Sequence, residues 1–256
     1  MKKITMLLSF LILVSLNSGA FAQSFSIGAR GGMSIPNLTD GSQGNPLSTG
    51  YSSRLGADFA VFGNFRFSKL FSLQPMIEYS QQGGKKNGFQ AFTTPEQLAA
   101  QFPPNQAPPY VYADYNSTAK MNYLLVPVLA KFGWNLGMQS PLRLYVDVGP
   151  FGGYLLSAHQ ITSGSSIIYA DPGKQNPLGS QAMSFDNKQN IRDQLHNFNF
   201  GVSGNIGLSY SFDSGSIFIE GGGNYGFINI QKYKKDGTNH TGAGTVTVGY
   251  AYRFTI

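Results

Sequence analysis

Read by parity, the chain falls into eight stretches in which apolar and polar positions alternate. Residues 24–34 set Phe25, Ile27, Ala29 and Met33 against Ser26, Gly28, Arg30 and Gly32. Residues 51–67 set Leu55, Ala57, Phe59, Val61 and Phe65 against Arg54, Gly56, Asp58, Asn64 and Arg66. Residues 71–82 oppose Phe71, Leu73, Pro75, Ile77 and Tyr79 to Ser72, Gln74, Met76, Glu78 and Ser80. Residues 120–134 carry Leu124, Val126, Val128, Ala130, Phe132 and Trp134 on one face, opposite a less polar face that includes Lys131. Stretches 142–155, 197–212 and 216–230 repeat the pattern, and 245–256 closes the chain with Val246, Val248, Tyr250, Tyr252, Phe254 and Ile256 on one parity. Alternation sustained over ten or more residues predicts a β-strand with two unlike faces.

Ten residues rising about 3.3 Å each and tilted about 40° span roughly 25 Å, the height of an outer-membrane apolar band. The connections alternate too. Short turns are predicted around 68–70, 136–141 and 213–215, and long loops over 35–50, 83–119, 156–196 and 231–242. Short turns at one end and long loops at the other describe a transmembrane barrel with both termini on the periplasmic side. In lipid, an open sheet edge would leave N–H and C=O groups unpaired, so the last strand must pair with the first. The predicted fold is all-β: an eight-stranded antiparallel up-and-down transmembrane β-barrel with long extracellular loops.

The front of the chain agrees. Lys2 and Lys3 precede an apolar run from Ile4 to Leu16, followed by Ala20-Phe21-Ala22. This is the order of a secretory signal peptide cleaved after Ala22. A membrane-anchoring helix would need about 20 apolar residues. The expected division is therefore 1–22 as leader and 23–256 as the barrel domain. Loss of the two lysines lowers the formal charge from +6 to +4. Glycine numbers 32, aromatics make up 14%, and charged residues only 12%, about half the usual soluble share, which suits strands whose outer surface is not all in water. Without cysteine there is no thiol or disulfide chemistry. The pI of about 9.4 does not argue for nucleic acid, because the basic residues are scattered and export removes that partner.

A soluble, lipocalin-like barrel is the competing architecture, apolar inside and polar outside. Ten charged residues bear on the choice: Arg30, Arg54, Asp58, Arg66, Glu78, Lys131, Arg143, Asp147, Glu220 and Arg253. All lie on the polar parity, and one of the ten is lysine, which a water-facing surface uses freely. They are expected to form an interior ionic network that plugs the bore, because a buried charge is costly unless paired.

The stretch "NYLLVPVLAKFGW" (122–134), with Tyr123, Pro127 and Lys131, resembles a strand of the PorT-like outer-membrane β-barrel family. "VDVGPFGGYLLS" and "FNFGVSGNIGLSY" resemble its next two strands. The resemblance implies a small eight-stranded outer-membrane barrel inserted by the barrel assembly machinery. One member of the family serves protein secretion, which makes an accessory role in a secretion system one alternative function. The chain departs from the usual terminal aromatic in ending with Ile256, two residues after Phe254. The alternating apolar positions persist, so assembly is expected to proceed.

Candidate chemistry is sparse. Pro127 lacks a ladder donor and predicts a bulge or kink in the fourth strand. His159 follows Ser157 by two positions, His196 follows Asp193 by three, and His240 stands in the last loop. A lipid-modifying enzyme would need such a histidine near the outer leaflet, and this is the second alternative. Lys85, Lys86, Lys232, Lys234 and Lys235 at the loop bases are placed to meet glycolipid phosphates or water. Thr94, Pro95 and Gln97 predict a capped helix over 95–102, and "SSIIYADPG" predicts a small hairpin. No metal-ligand, cofactor-binding or nucleophile motif is present in the sequence. The expectation is a monomeric, non-enzymatic outer-membrane scaffold in contact with lipid, whose long loops meet a protein or glycan partner.

Overall fold

The computed structural model describes residues 24–41 and 44–254. The predicted leader, its cleavage point and Ile256 lie outside the described residues. In chain order the strands are β1 (Ser24–Asp40), β2 (Gly56–Arg66), β3 (Phe71–Thr93), β4 (Tyr110–Asn135), β5 (Leu142–Ser163), β6 (Ser165–Ser166), β7 (Met183–Ser184), β8 (Asn187–Asn190), β9 (Phe198–Phe212), β10 (Gly215–Gly226) and β11 (Asn239–Phe254). Eight of them form one antiparallel ring in the order β1-β2-β3-β4-β5-β9-β10-β11. The ring closes by pairing β1 with β11 from Phe25 opposite Phe254 to Asp40 opposite Asn239. This is the predicted up-and-down barrel.

The two faces divide as the alternation predicts. Phe59, Val61, Ile77, Val148, Ile206, Ile219 and Val248 are exposed on the outer surface, whereas Arg30, Asp58, Glu78, Asp147 and Glu220 are buried inside. The aliphatic outer band lies between two aromatic girdles. At the short-turn end Phe25 packs on Phe65 and Phe254, and Phe71 on Phe132. At the other end Tyr154 packs on Phe198, and Phe227 on Phe200 and Tyr225. Paired girdles around an aliphatic band are the signature of a lipid-facing barrel wall.

Five strands run well past the membrane. The stretch 83–119, predicted as a loop, is mostly strand: β3 continues to Thr93 and β4 begins at Tyr110, paired down to Phe71 opposite Phe132. β1, β5 and β11 likewise extend into 35–40, 156–163 and 239–242. The reason lies in an inversion of polarity along β4. Inward positions Val111, Ala113, Tyr115, Ala119, Met121, Tyr123 and Leu125 are apolar or aromatic, interrupted by the buried Ser117. Outward positions are polar from Asp114 to Asn122 and apolar from Leu124 to Trp134. Above Leu124 the strand is apolar inward and polar outward, as water requires; below it the outer face turns apolar. The ten-residue rise from Leu124 to Trp134 spans about 25 Å at the usual tilt. Lys120, a charge within 120–134 that falls on the outward parity, is exposed just beyond that boundary.

The protruding strands carry a hood with a core of its own. Val111, Ala113, Tyr115 and Ile168 are buried together, with Phe92, Leu98, Leu178 and Phe185 against them. The predicted helix is a single turn, α1 (Glu96–Ala99), continued by turns to Phe102. Pro95 holds the N-cap position and the Thr94 hydroxyl donates to the Pro108 carbonyl, so the predicted cap does not form. The predicted hairpin is present: Leu178 N donates to Ile168 O and Ala170 N to Asn176 O around the 171–175 turn. Pro127 does not produce a bulge. Its pairing with Phe151 keeps register, and the register shift falls between Asn122 and Tyr123, where Leu156 is the extra residue of β5. That bulge turns both Leu156 and Ser157 outward at the membrane boundary.

Two outcomes follow. Val128→Arg, in the middle of the lipid band, is expected to cost about 2–4 kcal/mol in urea unfolding from lipid vesicles. Asn116→Arg, on the same face of the same strand above the boundary, should stay within about 0.5 kcal/mol; equal losses would move the boundary. The folded protein should also migrate differently in detergent gels before and after boiling, because the closed ladder resists detergent until heated. Identical mobility would argue against closure.

Candidate functional site

The bore contains three layers. The middle one is ionic. Arg30, from β1, donates through Nη1 to Glu220 Oε2 at 2.7 Å and through Nη2 to Glu78 Oε2 at 2.8 Å. Lys131 lies 3.5 Å from Glu220 Oε1 and 3.9 Å from Asp147 Oδ2, and its ammonium stands 3.6 Å from the centre of the Tyr145 ring. The Tyr145 hydroxyl donates to Glu220 Oε1 at 2.8 Å, and Asn205 donates to Asp147 Oδ1 at 2.7 Å. Glu220 is thus held by Arg30, Lys131 and Tyr145 together. Asp58 is fully buried, cross-strand from Ser80 and within Coulomb range of Arg30 and Glu78, without an ion pair of its own among the described residues. Charge-assisted contacts from several strands serve the Glu78 and Glu220 carboxylates, whereas both Asp58 oxygens and Asp147 Oδ2 are buried without a hydrogen-bond partner among the described residues.

Glycine makes room for the rings of the bore. Phe62, Tyr145, Phe151 and Phe218 each sit directly cross-strand from a glycine: Gly28, Gly207, Gly201 and Gly249. A Cβ at any of these four would overlap the partner ring. The inner aromatics therefore lie flat across the neighbouring strand, filling a bore just wide enough for side chains.

Ion pairs join five of the ten residues expected in the interior network. Asp58 stands beside these pairs, and the four other arginines lie at different heights. Arg54 is near the extracellular mouth, donating to the carbonyls of Leu55 and Gln82. Arg66, Arg143 and Arg253 line the periplasmic mouth. The inner parity identifies a face but not a level, and a salt bridge needs both.

The upper layer is an apolar plug that the alternation does not predict. Met121, Tyr123, Leu125, Phe151 and Leu155 fill the bore and are covered by Ile191, Leu195 and Ile230 from the extracellular loops. Ile191 and Leu195 flank a single 3-10 turn, Arg192–Gln194, and backbone bonds tie His196 N to Ile230 O and Lys232 N to Gln194 O. The sequence signal was present as isolated aliphatics in otherwise polar loops.

Above the plug is a recess of about 200 Å³. Its floor includes Leu38, Met121, Leu195 and Ile230, and its rim Tyr51, Lys86, Gln90, Tyr115 and Gln231. Lys86 donates to the Pro46 carbonyl at 2.7 Å and lies 5.8 Å from the Tyr51 ring centre. Burial holds the Lys86 ammonium below its ordinary pKa and raises the Tyr51 phenol. Burial, with Tyr51 adding to it, pushes Tyr115 up to about 12, so both phenols remain neutral donors at physiological pH. An apolar floor with a few convergent polar groups is the usual form of a small-ligand site.

The histidines do not assemble a catalytic group. His159 faces outward on β5, while Ser157 accepts from Asn122 at 2.9 Å. No hydrogen bond joins His159 to Ser157 or His196 to Asp193 among the described residues. His240 stacks on Tyr225. Of the loop lysines, Lys232 donates to the Asp193 carbonyl, Lys235 lies over the Tyr233 ring, and Lys85 is exposed on the outer face of β3.

Among solved structures the chain is similar to Neisserial surface protein A, at 12% identity over 90% of this chain and 97% of that one, with a TM-score of 0.37. It is also similar to Ail, the attachment invasion locus protein of Yersinia pestis, at 11% identity, covering 90% and 98%, with a TM-score of 0.36. OprG from Pseudomonas aeruginosa matches at 10% identity, covering 91% and 98%, with a TM-score of 0.39. No curated protein matches the chain significantly. The model of the outer membrane protein beta-barrel domain matches residues 21–232. A lipid-banded, closed eight-stranded ring matched over most of its length by that model belongs to the outer membrane protein beta-barrel domain family.

Proposed function

We propose that the protein is a non-enzymatic outer-membrane scaffold, PorT-like within its family, whose closed bore supports an extracellular hood that recognises a surface ligand. The hood's own hydrophobic core, Val111, Ala113, Tyr115 and Ile168 with Phe92 and Phe185, carries the reading. Mere connections between strands would not bury apolar side chains in water-facing segments, and a rigid hood holds the Tyr51–Tyr115–Lys86 recess in one shape. A structured loop set on a rigid scaffold is where recognition is usually placed. Two layers in series, the Arg30–Glu220 ion pairs and the Leu125–Leu155 cluster, support a closed bore and argue against diffusion as the function. The separation of His159 from a nucleophile-like partner removes the contact that the lipid-modifying alternative requires.

A photo-crosslinking residue placed at Gln231, on the recess rim, is expected to give a discrete adduct of defined mass in intact cells. The same residue at Val128 should capture lipid only. Absence of a rim adduct across growth conditions would reject surface recognition, and outer-membrane lipids whose mass changes with the protein and reverts in His159→Ala would place chemistry in the loops. Purified protein in a planar bilayer should show no stable conductance; reproducible open steps would move the function to transport. Arg30→Met leaves Glu78 and Glu220 without their shared cation and should cost about 3–5 kcal/mol in urea unfolding. A loss below about 1 kcal/mol would show that the buried pairs add little over an apolar filling.

A further inference from the structure

The third layer of the bore, at the periplasmic mouth, has a charge distribution that neither the barrel wall nor the hood requires. All eight barrel strands contribute to a cavity of about 60 Å³ there. Arg66, Arg143, Arg253 and Lys131 line it, with six serines, and no carboxylate does among the described residues. Lys131 is engaged by Glu220 and Asp147. The three arginines have no ion pair among the described residues. Arg143 donates only to neutral acceptors, Asn135 Oδ1 at 3.1 Å and the Lys69 carbonyl at 2.8 Å. Arg66 is repelled by Arg253, and Arg143 by Arg66. The Asn64 amide oxygen faces the same cavity, buried and without a partner. Exchange of its amide orientation would supply another donor.

Among the described residues the four inner carboxylates, Asp58, Glu78, Asp147 and Glu220, belong to the ionic layer above and none to the mouth. Three like charges converge where one interleaved acid would have relieved them, within a wall whose outside is lipid and whose low dielectric strengthens the field. Guanidinium forks and hydroxyls converging on a cavity of this size match a tetrahedral oxyanion. A phosphate group carries −1.5 to −2 charges, against one for a carboxylate, and balances the cluster better. We infer that the periplasmic mouth is a binding site for a phosphate group carried by a water-soluble molecule and entering from the periplasm. The lining side chains point into the bore, away from the lipid-facing girdle, which favours a soluble carrier over a phospholipid headgroup.

The test is calorimetric titration of the folded protein in detergent with inorganic pyrophosphate at low ionic strength. Saturable binding is expected, weakened as salt rises and weakened about tenfold or more in Arg66→Gln/Arg253→Gln. That variant relieves repulsion, so it should keep heat-modifiable migration and a urea midpoint no lower than the parent. Unsaturable heats in the parent, or unchanged affinity in the variant, would overturn the site. A lowered midpoint would make the arginines structural and overturn it equally. Retention of phosphatidylglycerol from nanodiscs by the parent, with no pyrophosphate binding in detergent, would overturn the soluble carrier.

Discussion

Everything in this protein follows from the requirement that a backbone in lipid leave no N–H or C=O unpaired. The β1–β11 ladder, sixteen paired positions from Phe25 to Asp40, meets that requirement by removing the sheet's two edges. Once the ring is closed, every strand has a lipid face and a bore face, and the polar side chains can only turn inward. The bore is too narrow to hold them in water. Burying the charges at mid-height is possible because Arg30 and Lys131 arrive from different strands at the level of Glu78, Asp147 and Glu220.

Packing of the bore depends on the same closure. A ring of eight strands has a fixed small radius, so an inward aromatic has room only if the residue beside it is small. The pairs Phe62–Gly28, Tyr145–Gly207, Phe151–Gly201 and Phe218–Gly249 solve this one strand at a time. Tyr145 then does two things at once: its hydroxyl completes the shell of Glu220 and its ring face receives the Lys131 ammonium. The ionic layer and the aromatic filling are therefore one structure, and removal of a charge disturbs packing as well as electrostatics.

The solvent outside the wall, not the strand itself, decides which face is apolar. Along β4 the inward row is apolar from Val111 to Leu125 apart from Ser117, while the outward row changes at Leu124. The same ladder is thus a membrane wall below that residue and the base of a water-borne hood above it. Because the hood's core grows out of the strands, its geometry is coupled to the barrel, and the recess beside Tyr51 and Lys86 inherits the barrel's rigidity.

Strand number, pairing of the ends, the identity of the lipid face and the side of the long connections were all legible in the sequence, because each depends on period-2 alternation and on segment length, which are local. The resemblance carried by Tyr123, Pro127 and Lys131 pointed to the same small outer-membrane barrels. What stayed hidden depended on height and on contacts between distant segments. The strand extensions into 83–119 are masked in the sequence because the apolar row changes sides at the membrane surface. The ten inner charges shared a parity, yet only the shear of the closed ring set Arg30 and Lys131 among the acids and left Arg66, Arg143 and Arg253 at the mouth. The burial of Ile191, Leu195 and Ile230 over Leu155 was decided by tertiary structure alone, since an isolated aliphatic in a polar loop acquires a partner only when the fold brings another loop above the same bore.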